Sequence, residues 1–344
     1  NVRLSRDLFY AISEFAPESE IVANGKLFKS RYVRKLSGYE WPTYKYAICD
    51  ECLTLNHARD LSSKELTECK QCGNRLGKKN RYIIPKFGFL PDVEPPKPVG
   101  LNKPERTYKG SISYIGDETK IKFSEYEICG KRLLVGNQKM DRLAILNESP
   151  FYICDTCGYG KVEEKATDSF IEFPHKNFHR CDCRNRRLNR YSLGHEIYTD
   201  VAIIKFIDFN IVKYEEAWTI LYSMLEGLSR SMNIDRNELS GCLQAYCNKA
   251  HPSSENNFGF VLFDNTPGGA GYVRQLTNEK KLLSMLKSGY SVVCDCDCGG
   301  TDADTACYGC LCNYYNQKQH DILKRKYALD FYKQIFPDIQ FEKN

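Results

Sequence analysis

A chain of 344 residues with 42% hydrophobic and 12% aromatic side chains has material for two or three cored domains, which excludes wholesale disorder. No apolar run approaches the roughly 18 residues of a membrane-spanning helix, and the first residues carry charges inside an amphipathic pattern, which excludes a secretory signal. The formal charge of +5 is no argument for a nucleic-acid partner, because a zinc site of four thiolates carries −2 and three of them would bring the total to about −1.

The chain opens on Asn1 and its first methionine is Met140, which reads as a piece of a longer polypeptide. Seventeen cysteines cluster as C-x2-C and C-x-C pairs. Such pairs suit zinc better than disulfides, and a reducing cytoplasm is the expected compartment.

Leu4, Leu8, Ile12 and Phe15 recur at helical spacing and predict a helix ending near Pro17. Asn24-Gly25 between alternating apolar arms predicts a hairpin. Lys26, Lys29, Arg31, Arg34 and Lys35 lie on or just after its second arm, as a solvated strand or as contacts to a phosphate backbone. Cys49, Cys52, Cys69 and Cys72 stand as C-x2-C, sixteen residues, C-x2-C, the spacing of a zinc ribbon whose intervening loop can form a hairpin. Four thiolates leave no open coordination position, so this site is structural, and His57 reads as a loop residue. Five prolines from Pro91 to Pro104 predict an extended linker.

Thr107 to Leu146 is strand-rich and predicts a small antiparallel unit, with Cys129 a buried thiol. Cys154 and Cys157 open a second knuckle, with Cys181 and Cys183 as expected partners and His175 and His179 as alternatives. Arg180, Arg184, Arg186, Arg187 and Arg190 crowd this knuckle. They either contact phosphates or pair with the acidic stretch near Glu163, Glu164 and Asp168.

Past Gly194 come a buried-type strand at 200–209, an amphipathic helix, and strands at 242–247 and 260–263, an α/β pattern. The helix lines up Tyr214, Trp218, Leu221, Leu225, Leu228 and Met232. Cys242 and Cys247 lack pair spacing and are expected to be buried. The run FGFVLFDN-TPGGAGY reads as a strand, a glycine-rich turn and a helix start, with Asp264 at the strand's end. Gly268 and Gly269 would allow a phosphate to approach the free N–H groups, or the turn is a tight crossover. No nucleotide-binding signature is present.

Cys294, Cys296, Cys298, Cys307, Cys310 and Cys312 exceed one tetrahedron. The preferred set is Cys296, Cys298, Cys307 and Cys310, with Cys294 as the alternative ligand and a thiolate-sharing two-zinc cluster as the other arrangement. A last helix over 316–336 is decorated by Lys318, His320, Lys324, Arg325 and Lys326.

LFDNTPGGAGYVRQL followed by CYGCLCNYYNQKQHDILKR resembles the C-terminal MrfA-type zinc-binding domain of DEAD/DEAH-box helicases, over about residues 192–336. The N-Q-x2-H-x2-L-x-R ending is similar to the versions in bacterial antiphage-defence helicases and their accessory proteins. AISEFAPESEIVANGKLFKS resembles the segment that follows the motor, where Glu18 stands in place of the usual glycine of Ala-Pro-Gly. The resemblance implies one zinc on Cys296, Cys298, Cys307 and Cys310, and support of an ATP-driven, DNA-translocating motor.

The expected fold is mixed α+β and α/β. Residues 1–104 would hold a helix, a hairpin and a zinc ribbon, 105–191 an antiparallel unit with the second knuckle, and 192–344 the MrfA-type domain. About three structural zinc ions are expected. The expected function is to bind or guide DNA, single-stranded or forked, beside a superfamily-two helicase on the same chain or a partner subunit, in antiphage defence or DNA repair. The alternative is a protein-docking platform with no DNA contact of its own. The chain has no Walker A loop and no D-E-x-H, so no catalytic residue is assigned and ATP hydrolysis by it alone is not expected. An enzyme built on Asp264, His195 or His320 lacks a nucleophile–base pair.

Overall fold

The computed structural model describes residues 4–60, 66–100, 110–163, 175–185, 187–246 and 257–338. Contacts group the chain into two compact units, one of residues 1–50, 55–112 and 144–197, the other of 51–54, 113–143 and 198–344. The architecture is mixed α+β with mainly antiparallel strand pairs. No described helix is long and apolar enough to cross a membrane.

In the first unit, helix α1 (Leu8–Glu14) starts at Asp7, whose carboxylate accepts from the Phe9 N–H, and ends before Pro17. The hairpin Glu20–Ala23 to Lys26–Val33 turns at Asn24-Gly25, both left-handed, as the sequence predicts. Two of the basic residues on or just after its second arm are engaged within the fold, whereas Lys26, Lys29 and Arg34 are exposed. Arg31 lies between Glu18 at 2.8 Å and Asp92 at 2.7 Å and over the Tyr159 ring, while Lys35 reaches Glu40 and the Asp155 carbonyl. Glu18 itself holds the left-handed conformation that its glycine counterpart would adopt freely, at φ 71°. Its carboxylate binds Arg31 and accepts from the Val162 N–H, contacts that a glycine could not make.

The proline-rich stretch is tied to that hairpin rather than free. Phe89–Pro91 and Lys97–Pro98 both pair with the strand Lys26–Val33, while residues 101–109 lie outside the described set. The ribbon strands Thr43–Ile48 and Leu55–Arg59 form a hairpin across the first knuckle itself, not in the loop between knuckles, and Asn80–Ile83 adds to the Thr43–Ile48 edge. Ile12, Val33, Trp41, Ile83, Phe151 and Leu193 form the core beneath.

In the second unit, Phe123–Ile128 pairs with Lys131–Gly136. Cys129 sits in the hairpin turn, left-handed and exposed, which corrects the expected buried thiol: the turn puts its side chain outside the sheet. Residues 201–204 pair with 260–263, and Asn257–Asp264 pairs along its length with Leu239–Tyr246, all antiparallel. The expected α/β layer is therefore an antiparallel sheet on which helix α2 (Tyr214–Met232) packs, with α3 (Glu279–Cys294) and α4 (Arg325–Ile335) packed against α2 and each other. Helix α2 buries Leu221, Leu225 and Leu228 but leaves Tyr214 exposed at its start. Phe206, Phe209, Phe260 and Phe331 pack with centroids 4.9–5.8 Å apart. Cys242 is buried as expected, and burial pushes its thiol up to about 12, whereas Cys247 lies outside the described residues.

Candidate metal centres

Three groups of ligand atoms converge, each within 4.8 Å of one another: Cys49, Cys52, Cys69 and Cys72; Cys154, Cys157, His175 and Cys183; and Cys296, Cys298, Cys307 and Cys310. Zinc–sulfur bonds of about 2.3 Å in a tetrahedron put neighbouring sulfurs about 3.8 Å apart. The observed Sγ–Sγ distances are 3.6 Å for Cys49–Cys72, 3.9 Å for Cys154–Cys183, 3.5 Å for Cys296–Cys307 and 3.7 Å for Cys298–Cys310. A disulfide would need about 2.05 Å. The donor sets and spacings therefore fit zinc.

Each group also carries donors aimed at sulfur, which favour the thiolate that a metal requires. The Cys69 Sγ accepts from the Gln71 N–H and the Asn56 side chain, both at 3.4 Å, and the Cys154 Sγ accepts from Asn185 at 3.5 Å. Hydrogen bonding with Cys157 lowers the Cys154 thiol to about 4. In the third group, burial opposes ionisation of Cys307, but the Gly309 N–H and the neighbouring thiols lower its pKa.

The second group differs from the preferred set of the sequence. The strand pair His175–Lys176 and Asp182–Cys183 places His175 directly opposite Cys183, and the His175 Nε2 is 3.2 Å from the Cys157 Sγ. Cys181 falls in the turn before that strand, exposed, with its thiol near the His179 carbonyl. Directly opposed residues of an antiparallel pair share a face, so the cross-strand register brings the histidine to the site. The knuckle is closed by Gly158, where a Cβ would lie 2.0 Å from the Val33 carbonyl oxygen, so no larger residue fits.

The third group is braced by residues that the sequence reading left on a helix surface. A 3-10 turn, Tyr314–Gln319, precedes α4, so the final helix begins later than predicted. Asn316 is buried, with its side chain donating to the Leu311 carbonyl and accepting from the Asn313 N–H, and the His320 Nε2 lies 2.9 Å from the same amide oxygen. Arg325 is 6% exposed. Its guanidinium donates to the carbonyls of Cys298, Val293 and Gly300. Cys294 ends α3 outside the ligand group, hydrogen-bonding with Tyr290.

The residues expected to meet DNA fall into separate settings. Arg190 is engaged by Glu163 at 2.9 Å and by Asn80, and Arg180 donates to the Val93 carbonyl. Arg184 and Arg187 are exposed and make no ion pair among the described residues, while Arg186, Glu164 and Asp168 lie outside that set. Gly268 and Gly269 offer nothing to a phosphate. Their N–H groups donate to the carbonyls of Tyr198 and Thr266, and a Cβ on Gly269 would meet the Asp200 carboxylate at 2.4 Å.

The remaining N–H groups of that turn, on Ala270, Tyr272 and Val273, donate to the buried Asp264 carboxylate at 2.8–3.1 Å. The anion expected at the turn is thus supplied by the chain itself. Burial raises the Asp264 pKa against the backbone N–H groups of Val273, Ala270, Tyr272 and Gly271. Asp264→Ala is expected to cost about 3 kcal/mol in chemical denaturation by orphaning buried N–H groups, and Asp264→Asn nearly as much, because its amide donor faces donors.

Residues 220–311 match the sequence family described as the MrfA Zn-binding domain, a match that contains all four ligands of the third group. The match is confined to the C-terminal part of the chain. Across 97% of the chain the sequence is 25% identical to Druantia protein DruE of Escherichia coli (strain UMEA 4076-1), of which it covers 20%. The chain thus spans about a fifth of the length of that curated relative. The crystal structure of DUF1998 helicase MrfA bound to DNA aligns with a TM-score of 0.42 and 12% identity, over 96% of this chain and 31% of that one.

Proposed function

We propose that this chain is a zinc-stapled, helicase-associated region that binds DNA through the second knuckle and braces an ATP-driven superfamily-two motor. One zinc ion in each of the three groups would cross-link the segments that carry its ligands, making metal binding part of folding. The motor would lie elsewhere on the same polypeptide or on a partner subunit. The setting would be a reducing cytoplasm and the pathway antiphage defence or DNA repair, as the sequence resemblance implies.

The observation that carries DNA binding is the division among the knuckle arginines. Arg180 and Arg190 are committed within the fold, whereas Arg184 and Arg187 stand exposed beside Cys183 with no ion pair among the described residues. Exposed guanidinium groups fixed on a metal-tied turn suit phosphate contact, which positions DNA without reading sequence.

The test is fluorescence anisotropy of the zinc-loaded chain against single-stranded, duplex and forked DNA across a salt series. Affinity is expected to fall linearly in log salt, and Arg184→Glu with Arg187→Glu to reduce the slope by about two phosphates. No binding at low salt would leave a docking platform without DNA contact, and affinity unaffected by that pair would move the contact off the second knuckle.

A further inference from the structure

The first and second zinc groups open from the same end of one sheet. Its strands lie in the order Gly160–Val162, Phe151–Ile153, Asn189–Phe206, Asn80–Ile83, Thr43–Ile48 and Leu55–Arg59. Thr43–Ile48 is antiparallel to Asn80–Ile83, which is parallel to Asn189–Phe206, which is antiparallel to Phe151–Ile153. Cys49 follows the first of these four strands and Cys154 the last. The directions therefore put both cysteines at the end where Asn80–Ile83 and Asn189–Phe206 begin.

The residues that lead into those two middle strands are basic. Lys78 and Lys79 precede Asn80, and Arg184 and Arg187 precede Asn189. All four are exposed and make no ion pair among the described residues. The strand starts are in contact, because the Arg190 guanidinium donates to the Asn80 side chain at 2.8 Å. Farther along, the Tyr46 and Ser192 hydroxyls lie 2.8 Å apart and the Tyr82 hydroxyl donates to Glu196 at 3.1 Å. Neighbouring strands are about 4.8 Å apart, so the two basic segments enter the sheet side by side, on a frame that is fixed before any ligand arrives.

The carboxylates at this end are partly spent. Glu163 takes Arg190 at 2.9 Å and the Tyr152 hydroxyl, and Asp155 accepts from Asn189. The Arg190 hydrogen bond holds the Glu163 pKa down and the charge of Lys78 adds to it, which places Lys78 beside the second module. Asp50, against Gly77, and Glu51 are exposed and oppose the four cations. The zinc groups would be anionic too, but Cys49, Cys52, Cys154 and Cys183 are buried while the four cationic side chains reach solvent, so an approaching phosphate meets the cations first.

We infer that the two zinc modules hold one DNA backbone jointly, with Lys78 and Lys79 of the first ribbon on phosphates next to those held by Arg184 and Arg187. The inference rests on the DNA reading above and extends it from one module to two. Phosphates recur about every 3.4 Å along a strand, close enough for side chains from neighbouring strand starts to hold successive ones.

The experiment is fluorescence anisotropy of the full zinc-loaded chain with oligo(dT) across a salt series. Lys78→Glu with Lys79→Glu is expected to weaken binding about tenfold at low salt and to lower the log-salt slope by about 1.4, the value for two single-strand phosphates. Adding Arg184→Glu with Arg187→Glu is expected to lower the slope about twice as far. Arg59→Glu with Lys86→Glu reverses the same charge at the opposite end of the strands and is expected to leave the slope unchanged. Zinc content and melting temperature of each variant separate lost contacts from lost fold, and Lys78→Gln with Lys79→Gln carries the same test if the glutamates disturb the knuckle.

A slope lowered by the arginine pair but not by the lysine pair overturns this inference and leaves the second-knuckle contact standing. No binding at low salt, or a loss confined to the lysine pair, overturns both. An equal loss from the Arg59 and Lys86 pair overturns the joint site, because binding would then follow net charge rather than this end of the sheet.

Discussion

Replacing Arg325 with alanine is expected to lower the unfolding free energy by about 3 kcal/mol and to weaken metal retention in the terminal group. Its guanidinium is buried and has no carboxylate on it among the described residues. It donates instead to the Cys298 carbonyl through two nitrogens and to Val293 and Gly300. What balances the cation is the thiolate group itself, since Cys298 is both a ligand and an acceptor of the guanidinium. With zinc bound the group keeps a net −2, so arginine and metal stabilise each other. The coupling also runs through the main chain, because the Arg325 and Lys326 N–H groups at the start of α4 donate to Thr305 and Ala303 in the same loop. Arg325→Lys is expected to recover only part of the loss, as a single ammonium cannot span three carbonyls. Denaturation curves and chelator competition measure the two effects. Unchanged stability in Arg325→Ala would sink the idea that this residue braces the site.

The ligand spacings were legible because zinc knuckles are local. In C-x2-C and C-x-C pairs the thiols are close whatever the rest of the chain does, and the residue after such a pair is left-handed at Leu53, Gly73, Gly158 and Gly299. The hairpin at Asn24-Gly25 was legible for the same reason. Arg325 was not. Its position in a run of alternating charge reads as helix surface, and only the fold of the loop over 295–305, tens of residues back in sequence, buries it. The glycine-rich turn misled in the opposite way. Its composition fits an anion cradle, but whether the anion comes from outside depends on where the Asp264 carboxylate points. Arg31 shows the same dependence, since its partners Glu18 and Asp92 lie on either side of it in sequence, Asp92 far downstream.

His175→Ala is expected to reduce bound zinc from about three equivalents to about two, while Cys181→Ser leaves all of them in place. The sequence alone favoured the opposite result, because C-x-C at Cys181 and Cys183 offers two thiols. Side chains two apart on one strand do share a face, but the strand pairing begins only at Asp182, so Cys181 belongs to the turn made by Asn177 and Arg180. The turn is stabilised without its thiol, since the Asn177 side chain accepts from the N–H groups of His179 and Cys181. His175 is buried against Tyr159 at 5.0 Å and has its Nε2 at the ligand position. A histidine ligand changes the site's chemistry as well as its geometry. Three thiolates and a neutral imidazole leave a zinc site at −1 rather than −2. Metal analysis of the two variants checks the ligand assignment. Because the exposed Arg184 and Arg187 follow Cys183 in the sequence, loss of this zinc should also abolish the salt-dependent part of DNA affinity that those arginines supply. Retention of full DNA affinity by a His175→Ala chain that has lost one zinc would detach the DNA contact from the second knuckle.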